Sequence, residues 1–289
     1  MDKTKNILVT GLARNTEGLL STELKKIQIH LSVFFSEVKF LVIESDSSDN
    51  TVGELKKIKT NTPNFEFISL GMLEKKYPNR IQRLTKCRNT YVTEIRKNKN
   101  YKSIDYVAVF DFDIRNNRLN LQPLNFWLSQ EKWAAIFANQ TGNYYDIYAL
   151  RKKGWNENDC FAEYRNLLSN LPSNLAKNEA IWKKMIKIPL TAKPIKVQSA
   201  FGGLGIYKKE IFIRYDYEPR PNQIEQSEHV VLHYKIDRKY GDLFIVPNLT
   251  NFSWSPHNLS KFVFFRKLDS ITRNIGLKKT REILRKRLA

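Results

Sequence analysis

The sequence predicts an α/β protein with a Rossmann-like sheet flanked by helices, and three observations carry that expectation. Apolar strands alternate with helical segments through the first 115 residues, the pattern of βαβ units and a parallel sheet. The first two strands each run into a polar, turn-forming segment, Ala13-Arg14-Asn15 and then Ser45-Asp46-Ser47-Ser48-Asp49. The most β-prone run, Tyr106 to Ile114, ends in two carboxylates one residue apart, Asp111 and Asp113.

In chain order, Ile7 to Asn15 reads as a strand entering a turn, followed by a helix from Glu17 to about Phe35 with Thr16 as its N-cap. Phe40 to Glu44 is a second strand, and a helix is expected from Val52 to Lys59. The apolar run Asn64 to Leu70 precedes a basic helix placed at Ile81 to Lys97, and the Tyr106 strand follows. Further on, a short helix is expected over Asn120 to Gln130 and a strand over Trp133 to Gln140. Pro172, Pro189 and Pro194 punctuate a helix-rich insertion, and Gly241 to Pro247 reads as the last strand. One domain is expected over 1–257. From 258 to 289 the chain becomes a basic amphipathic helical segment, with ten basic residues against two acids from Lys261 onward.

The 289 residues, 42% of them hydrophobic, suffice for a sizeable core. No run reaches the roughly 18 to 20 apolar residues that span a bilayer, and the first residues carry no signal-peptide core. A cytoplasmic protein, or one peripheral on the inner face of the membrane, is expected. Cys87 and Cys160 are the only cysteines and belong to no CxxC or Cys/His cluster, which excludes a disulfide framework and a structural zinc site. A formal net charge of +20 calls for a polyanionic partner: nucleic acid, anionic lipid or a phosphorylated substrate. The tail's apolar and basic residues at helical spacing suit a helix on an anionic membrane surface, or one that covers the core and shows its charge to water.

In a strand, residues two apart share a side, so Asp111 and Asp113 converge on one object if the chain stays extended there. Paired carboxylates suit a hard divalent cation, Mn²⁺ or Mg²⁺, which is commonly held by one or two carboxylates plus substrate phosphate oxygens. Glu44, Asp46 and Asp49 stand where acids accept hydrogen bonds from ribose or base; the alternative is that they form turns and cap the next helix. Neither GxGxxG nor GxxxxGK[ST] occurs, so dinucleotide and P-loop phosphate sites are excluded. Arg80, Arg83 and Arg88 lie along neighbouring faces of one helix, suited to phosphate oxygens or to a solvated basic face.

Two later stretches carry chemistry. In Phe201-Gly202-Gly203-Leu204, glycines permit either close backbone approach to a ligand or a tight turn between two strands. In Glu225-Gln226-Ser227-Glu228-His229-Val230-Val231-Leu232-His233, Glu228, with Glu225 in reserve, is the candidate general base. His229 and His233 share a face whether the segment is strand or helix.

The succession Ala13-Arg14-Asn15, Glu44 to Thr51, Arg80 to Asn89 and Phe110-Asp111-Phe112-Asp113 resembles the GT-A glycosyltransferases. It is most similar to capsule-associated mannosyltransferases and related bacterial polysaccharide glycosyltransferases. The resemblance implies a mixed central sheet with a nucleotide-binding half, 1–115, and an acceptor half, 116–257. It implies a nucleotide-sugar donor, UDP- or GDP-linked, contacted by Ala13, Arg14, Glu44, Asp46, Arg80, Arg83, Arg88 and Phe112, with Gly202 and Gly203 bordering the sugar. It further implies a divalent metal on Asp111 and Asp113, with His233 as an added ligand, and a glycan or lipid-linked acceptor in surface polysaccharide synthesis. Two rivals share parts of the pattern. The net charge suits a nucleic-acid-binding protein, although zinc-finger and helix-turn-helix spacings are absent and no nucleic-acid partner is expected. The Asp pair suits a metal-dependent nucleotidyltransferase or phosphohydrolase.

Overall fold

In the computed structural model the described residues are 4–219 and 226–252, all within one compact unit, Met1–Ser253. Glu225 and the amphipathic segment expected over 258–289 lie outside the described residues. An eight-stranded mixed sheet in the order β3-β2-β1-β4-β7-β5-β8-β6 organises the molecule. Its strands are β1 (Asn6–Ala13), β2 (Glu37–Glu44), β3 (Phe65–Ser69), β4 (Tyr106–Asp111), β5 (Trp133–Asn139), β6 (Ile195–Val197), β7 (Leu204–Lys208) and β8 (Asp242–Thr250). The helices are α1 (Leu20–Leu31), α2 (Thr51–Asn61), α3 (Arg80–Lys97), α4 (Leu124–Trp127), α5 (Cys160–Leu167), α6 (Ser173–Ala180), α7 (Lys209–Arg214) and α8 (Glu228–Lys235).

β1 to β4 run parallel, and β7 enters antiparallel between β4 and β5. The sheet is covered on both faces, which is why its inner strands are apolar nearly throughout. Period-two alternation sorts the side chains. Ile7, Val9, Ala108 and Phe110 pack with Leu24 and Ile27 of α1 and Leu55 of α2. Leu8, Val107 and Val109 pack on the opposite face with Tyr91, Val92 and Ile95 of α3, Phe212 of α7 and Leu232 of α8.

Strand order turns at β1, with β2 and β3 to one side and β4 to the other. In an open α/β sheet the crevice beyond the carboxyl ends at such a point receives ligands. Register brings the relevant loops level, because Leu12 pairs with Asp111 and Ala13 with Glu44.

The structure departs from the expected elements in four places. α1 starts later than expected and Thr16 is not its cap: the Thr16 hydroxyl is buried without a partner. The Glu17 and Gly18 amides instead donate to carboxylates of Asp49 and Glu54, and Gly18 sits at φ 74, so residues 16–19 form a turn fastened to the second loop. β4 ends at Asp111, and the chain turns at Phe112 and Asp113. The helix expected over Asn120 to Gln130 is a single turn, α4. Finally, Gly202-Gly203 does not join paired strands, since β6 pairs with β8, while β7 pairs with β4 and β5.

Candidate metal–diphosphate site

Asp111 is the last residue of β4, its side chain 30% exposed, while Asp113 is exposed in the turn that follows. The turn is shaped by packing. Phe112 is fully buried, its ring parallel to that of Phe110 at 6.5 Å, over the space that Gly11 leaves by having no side chain. A Cβ on Gly11 would lie 2.8 Å from the Phe112 ring. Phe112 is therefore a core residue and the expectation that it contacts the donor is corrected. With Phe112 anchored inward, both flanking aspartates are left at the sheet edge. The chain beyond is pinned where the Asn116 amide donates to the buried Glu23 carboxylate of α1 at 2.9 Å.

Electrostatically the site is over-supplied with negative charge. Burial first, then Asp113, Asp146 and Glu228, hold the Asp111 carboxyl well above the usual carboxylate range, and Arg88 opposes them. Among the described residues Arg88 is the one cation close to it: Nη2 lies 3.9 Å from Asp111 Oδ1, and Nε donates to Glu228 Oε1 at 2.8 Å. The guanidinium is buried between the rings of Phe201 and Tyr217, at 5.5 and 5.6 Å from their centroids, and its Nη1 is buried without a hydrogen-bond partner.

Glu225-to-His233 resolves as helix from Glu228 onward. Glu228, expected as a general base, is buried in the first turn of α8 and fastened to Arg88. The expected metal role of His233 is corrected. Its Nδ1 is bonded to Ser199 at 2.8 Å and its Nε2 to Tyr207 at 2.9 Å, so neither nitrogen has a lone pair to give a cation. Burial, with Arg238 and Arg88, lowers its pKa to about 3. His229 is buried too, stacked on Phe201 with centroids 3.8 Å apart, and both its ring nitrogens lack a hydrogen-bond partner.

The two loops expected to hold a nucleotide are bound to one another. Asn15 Oδ1 accepts from the Ser48 amide at 2.7 Å, and Arg14 Nε donates to the Asp46 carbonyl at 3.1 Å. Asn15 and Asp46 both adopt positive φ, 54° and 57°, a conformation that costs non-glycine residues energy and is held here by those bonds. The turn-and-cap alternative accounts for much of the acidic cluster. Asp49 accepts from the Thr51 amide and hydroxyl, Glu44 from the Ser47 amide and the Ser69 hydroxyl, and Asp46 Oδ1 from the Glu74 amide. On α3, Arg83 donates to the carbonyls of Tyr77 and Pro78, both at 2.8 Å. Arg80, the first residue of that helix, lines a separate cavity with Tyr148 and Phe161.

Gly202 and Gly203 meet the site at φ 71 and 81. The Gly203 carbonyl accepts from the Asp111 amide at 3.0 Å, and the Gly202 amide donates to Asp146 Oδ2 at 3.0 Å. A Cβ on Gly202 would stand 2.6 Å from the Ala138 carbonyl oxygen, so the close approach itself requires glycine. Two further residues of this floor, Asp146 and Asn251, have no sequence signal as site residues, while Tyr145 belongs to an aromatic cluster whose faces suit either sugar stacking or core packing. Asp146, inside an aromatic cluster, has no spacing to Asp111. Tyr145 is half-buried, and desolvation with Asp111, Asp146 and Asp113 pushes its hydroxyl well up. Asn251 lies just past β8 and donates to the Gly202 carbonyl at 2.8 Å.

Among the described residues no group of three or more His, Cys, Asp or Glu side chains could hold a metal. The donor set is Asp111 and Asp113, hard oxygens in excess of local positive charge. That fits a Mn²⁺ or Mg²⁺ ion that draws its remaining ligands from phosphate and water.

No family model matches the chain, and no curated protein sequence does. Similar folds occur among solved structures. Residues 1–349 of S. aureus TarS, in complex with UDP-GlcNAc, align over 89% of this chain and 62% of their own at 11% identity, TM-score 0.46. Mannosyltransferase PcManGT from Pyrobaculum calidifontis, in complex with GDP-Man and Mn²⁺, aligns over 88% and 60% at 13% identity, TM-score 0.47. Galactosyltransferase LgtC, in complex with donor and acceptor sugar analogues, aligns over 78% and 69% at 11% identity, TM-score 0.41. The chain spans about three fifths of the length of the first two.

Proposed function

We propose that the chain is a metal-dependent glycosyltransferase that takes a sugar from a UDP- or GDP-linked donor to a glycan or lipid-linked acceptor in surface polysaccharide synthesis. The observation that carries this reading is the Asp111 and Asp113 pair at the carboxyl end of β4, at the turning point of strand order, with more carboxylates around it than cations.

In this reading Asp111 and Asp113 hold the metal, which when bound neutralises charge building on the leaving diphosphate. The loops at Ala13-Arg14-Asn15 and Ser45 to Ser48 face the nucleoside from the ends of β1 and β2. Arg88 keeps Asp111 oriented, and Glu228 in turn keeps Arg88 in place. Gly202 and Gly203 bring backbone against the sugar, with Tyr145 beside it. The reaction breaks the bond between the sugar's anomeric carbon and the phosphate oxygen and forms one to the acceptor oxygen, so the acceptor hydroxyl must lose a proton. With Glu228 committed to Arg88, this reading gives the proton to Asp146, a carboxylate on this floor with no ion pair among the described residues, whose oxygens accept from the Gly202 and Ala149 amides.

The test is to incubate the protein with a panel of UDP- and GDP-sugars, with Mn²⁺ or with EDTA, and identify the released products by anion-exchange chromatography. Slow metal-dependent release of UDP or GDP, absent in Asp111→Asn, supports the reading. Release of inorganic phosphate or diphosphate, or equal release with EDTA, overturns it.

A further inference from the structure

Arg80 begins α3, and at 1.5 Å rise per residue it stands about 12 Å along the helix from Arg88. It borders a cavity of about 380 Å³ lined by Asn79, Arg80, Ile81, Tyr148, Phe161 and Arg165. That volume lies within the range of small-molecule sites. Of its described lining residues Arg80 and Arg165 are basic and none is acidic; Arg165 has a partner of its own, so Arg80 is the guanidinium on offer, and guanidinium forks match the paired oxygens of phosphate and carboxylate. Arg80 has no carboxylate partner among the described residues, whereas Arg83, one turn on, is spent on the Tyr77 and Pro78 carbonyls. Tyr148 and Phe161, which also line it, meet edge to face with centroids 4.9 Å apart, and Phe161 is 40% exposed. Its ring offers an apolar face beside the charge.

The cavity is tied to the site by chain as well as by helix. Tyr148 follows Asp146 by two residues, and Asp146 holds the Gly202 amide. A larger cavity, about 560 Å³ around Trp155, is also basic, but there Lys183 and Lys184 are paired with Glu179 and Glu163.

We propose that the Arg80 cavity is an acceptor subsite for an anionic sugar, one bearing a phosphate or a carboxylate, with Arg80 taking the anionic group and Phe161 the ring. This rests on the glycosyltransferase reading. It moves Arg80 from the donor diphosphate to the acceptor, and makes a charged glycan the substrate class.

The experiment is saturation-transfer NMR and calorimetric titration of the whole protein with four probes: glucose 6-phosphate, glucuronate, glucose and inorganic phosphate. Variants are Arg80→Gln, Phe161→Ala and Asp111→Asn, each checked for an unchanged melting temperature. Glucose 6-phosphate or glucuronate is expected to bind at least tenfold tighter than glucose, without Mn²⁺, and whichever binds identifies the anion. Arg80→Gln is expected to weaken that binding at least tenfold, and Phe161→Ala to weaken the sugar anion but not inorganic phosphate. Asp111→Asn is expected to leave it unchanged. Equal binding of glucose and the charged sugars, no binding at all, or affinities indifferent to both Arg80→Gln and Phe161→Ala would overturn the subsite. If metal-dependent UDP or GDP release is seen while the charged sugars fail to bind, the subsite alone falls. If the donor is not cleaved but Arg80-dependent binding persists, the cavity remains a site for an anionic sugar while its acceptor role falls with the donor reading.

Discussion

On the parallel side of the sheet, polar loops meet neighbours a short way along the chain. Asn15 reaches Ser48, 33 residues on, and Glu44 reaches Ser69, 25 residues on. On the antiparallel side the contacts span further: Gly202 to Asp146 over 56 residues, and Glu228 back to Arg88 over 140. The first set is readable because each loop follows its own strand and its residues satisfy one another locally. The second set exists only once β7 has inserted between β4 and β5. Much of the acidic pattern that looked like ligand chemistry in the first loops is loop construction. Around Asp111 the largest charge contribution is the neighbouring Asp113, and Asp146 and Glu228 of the second set add to it.

Breaking the longest of these links has the largest expected effect. Arg88→Ala leaves Glu228 buried and unpaired, and should cost about 3–5 kcal/mol in urea denaturation. A loss under about 1 kcal/mol would mean that the two sides are not joined there. Gly202→Ala is the next largest, about 2–3 kcal/mol, from positive φ combined with a Cβ 2.6 Å from the Ala138 carbonyl oxygen. Ala substitution at Gly18, also at positive φ but with open space where its Cβ would be, should cost only about 1 kcal/mol.

Acid sharpens the contrast in another way. His233 has its pKa lowered to about 3 in the fold, so the unfolded chain takes up its proton first as pH falls. The stability that neutral His233 contributes is complete above about pH 6.5 and is lost as pH drops below it, by about 1.4 kcal/mol per unit for one proton. His233→Phe should flatten that slope between pH 6.5 and 4.5, whatever it does to stability at neutral pH. The smallest effect is expected at Asp113→Asn. The residue is exposed, so stability should change by less than about 0.5 kcal/mol. Metal binding should nevertheless fall sharply.

The strands, the helix α3 and the place of the Asp doublet at the end of β4 were legible because apolar periodicity and a carboxylate doublet are local signals. Phe112 was misread for a physical reason: nothing in its own segment shows that Gly11, about a hundred residues away in β1, leaves room for its ring. His233 was misread likewise, since its two hydrogen-bond partners come from Ser199 and Tyr207. Thr16 failed as a cap because carboxylates of Asp49 and Glu54 hold the turn before α1. Asp146 and Asn251 carried no signal because what makes them site residues is their contact with Gly202.

The central claim, that Asp111 and Asp113 hold a cation jointly with a nucleoside diphosphate, is tested most directly by electron paramagnetic resonance of Mn²⁺ titrated into the protein with and without UDP or GDP. The account predicts weak Mn²⁺ binding alone, tightening at least tenfold with one of the two nucleotides, and loss of that ternary binding in Asp111→Asn/Asp113→Asn protein that remains folded. Ternary binding of equal strength in the double variant, or none with either nucleotide in the wild type, would contradict it.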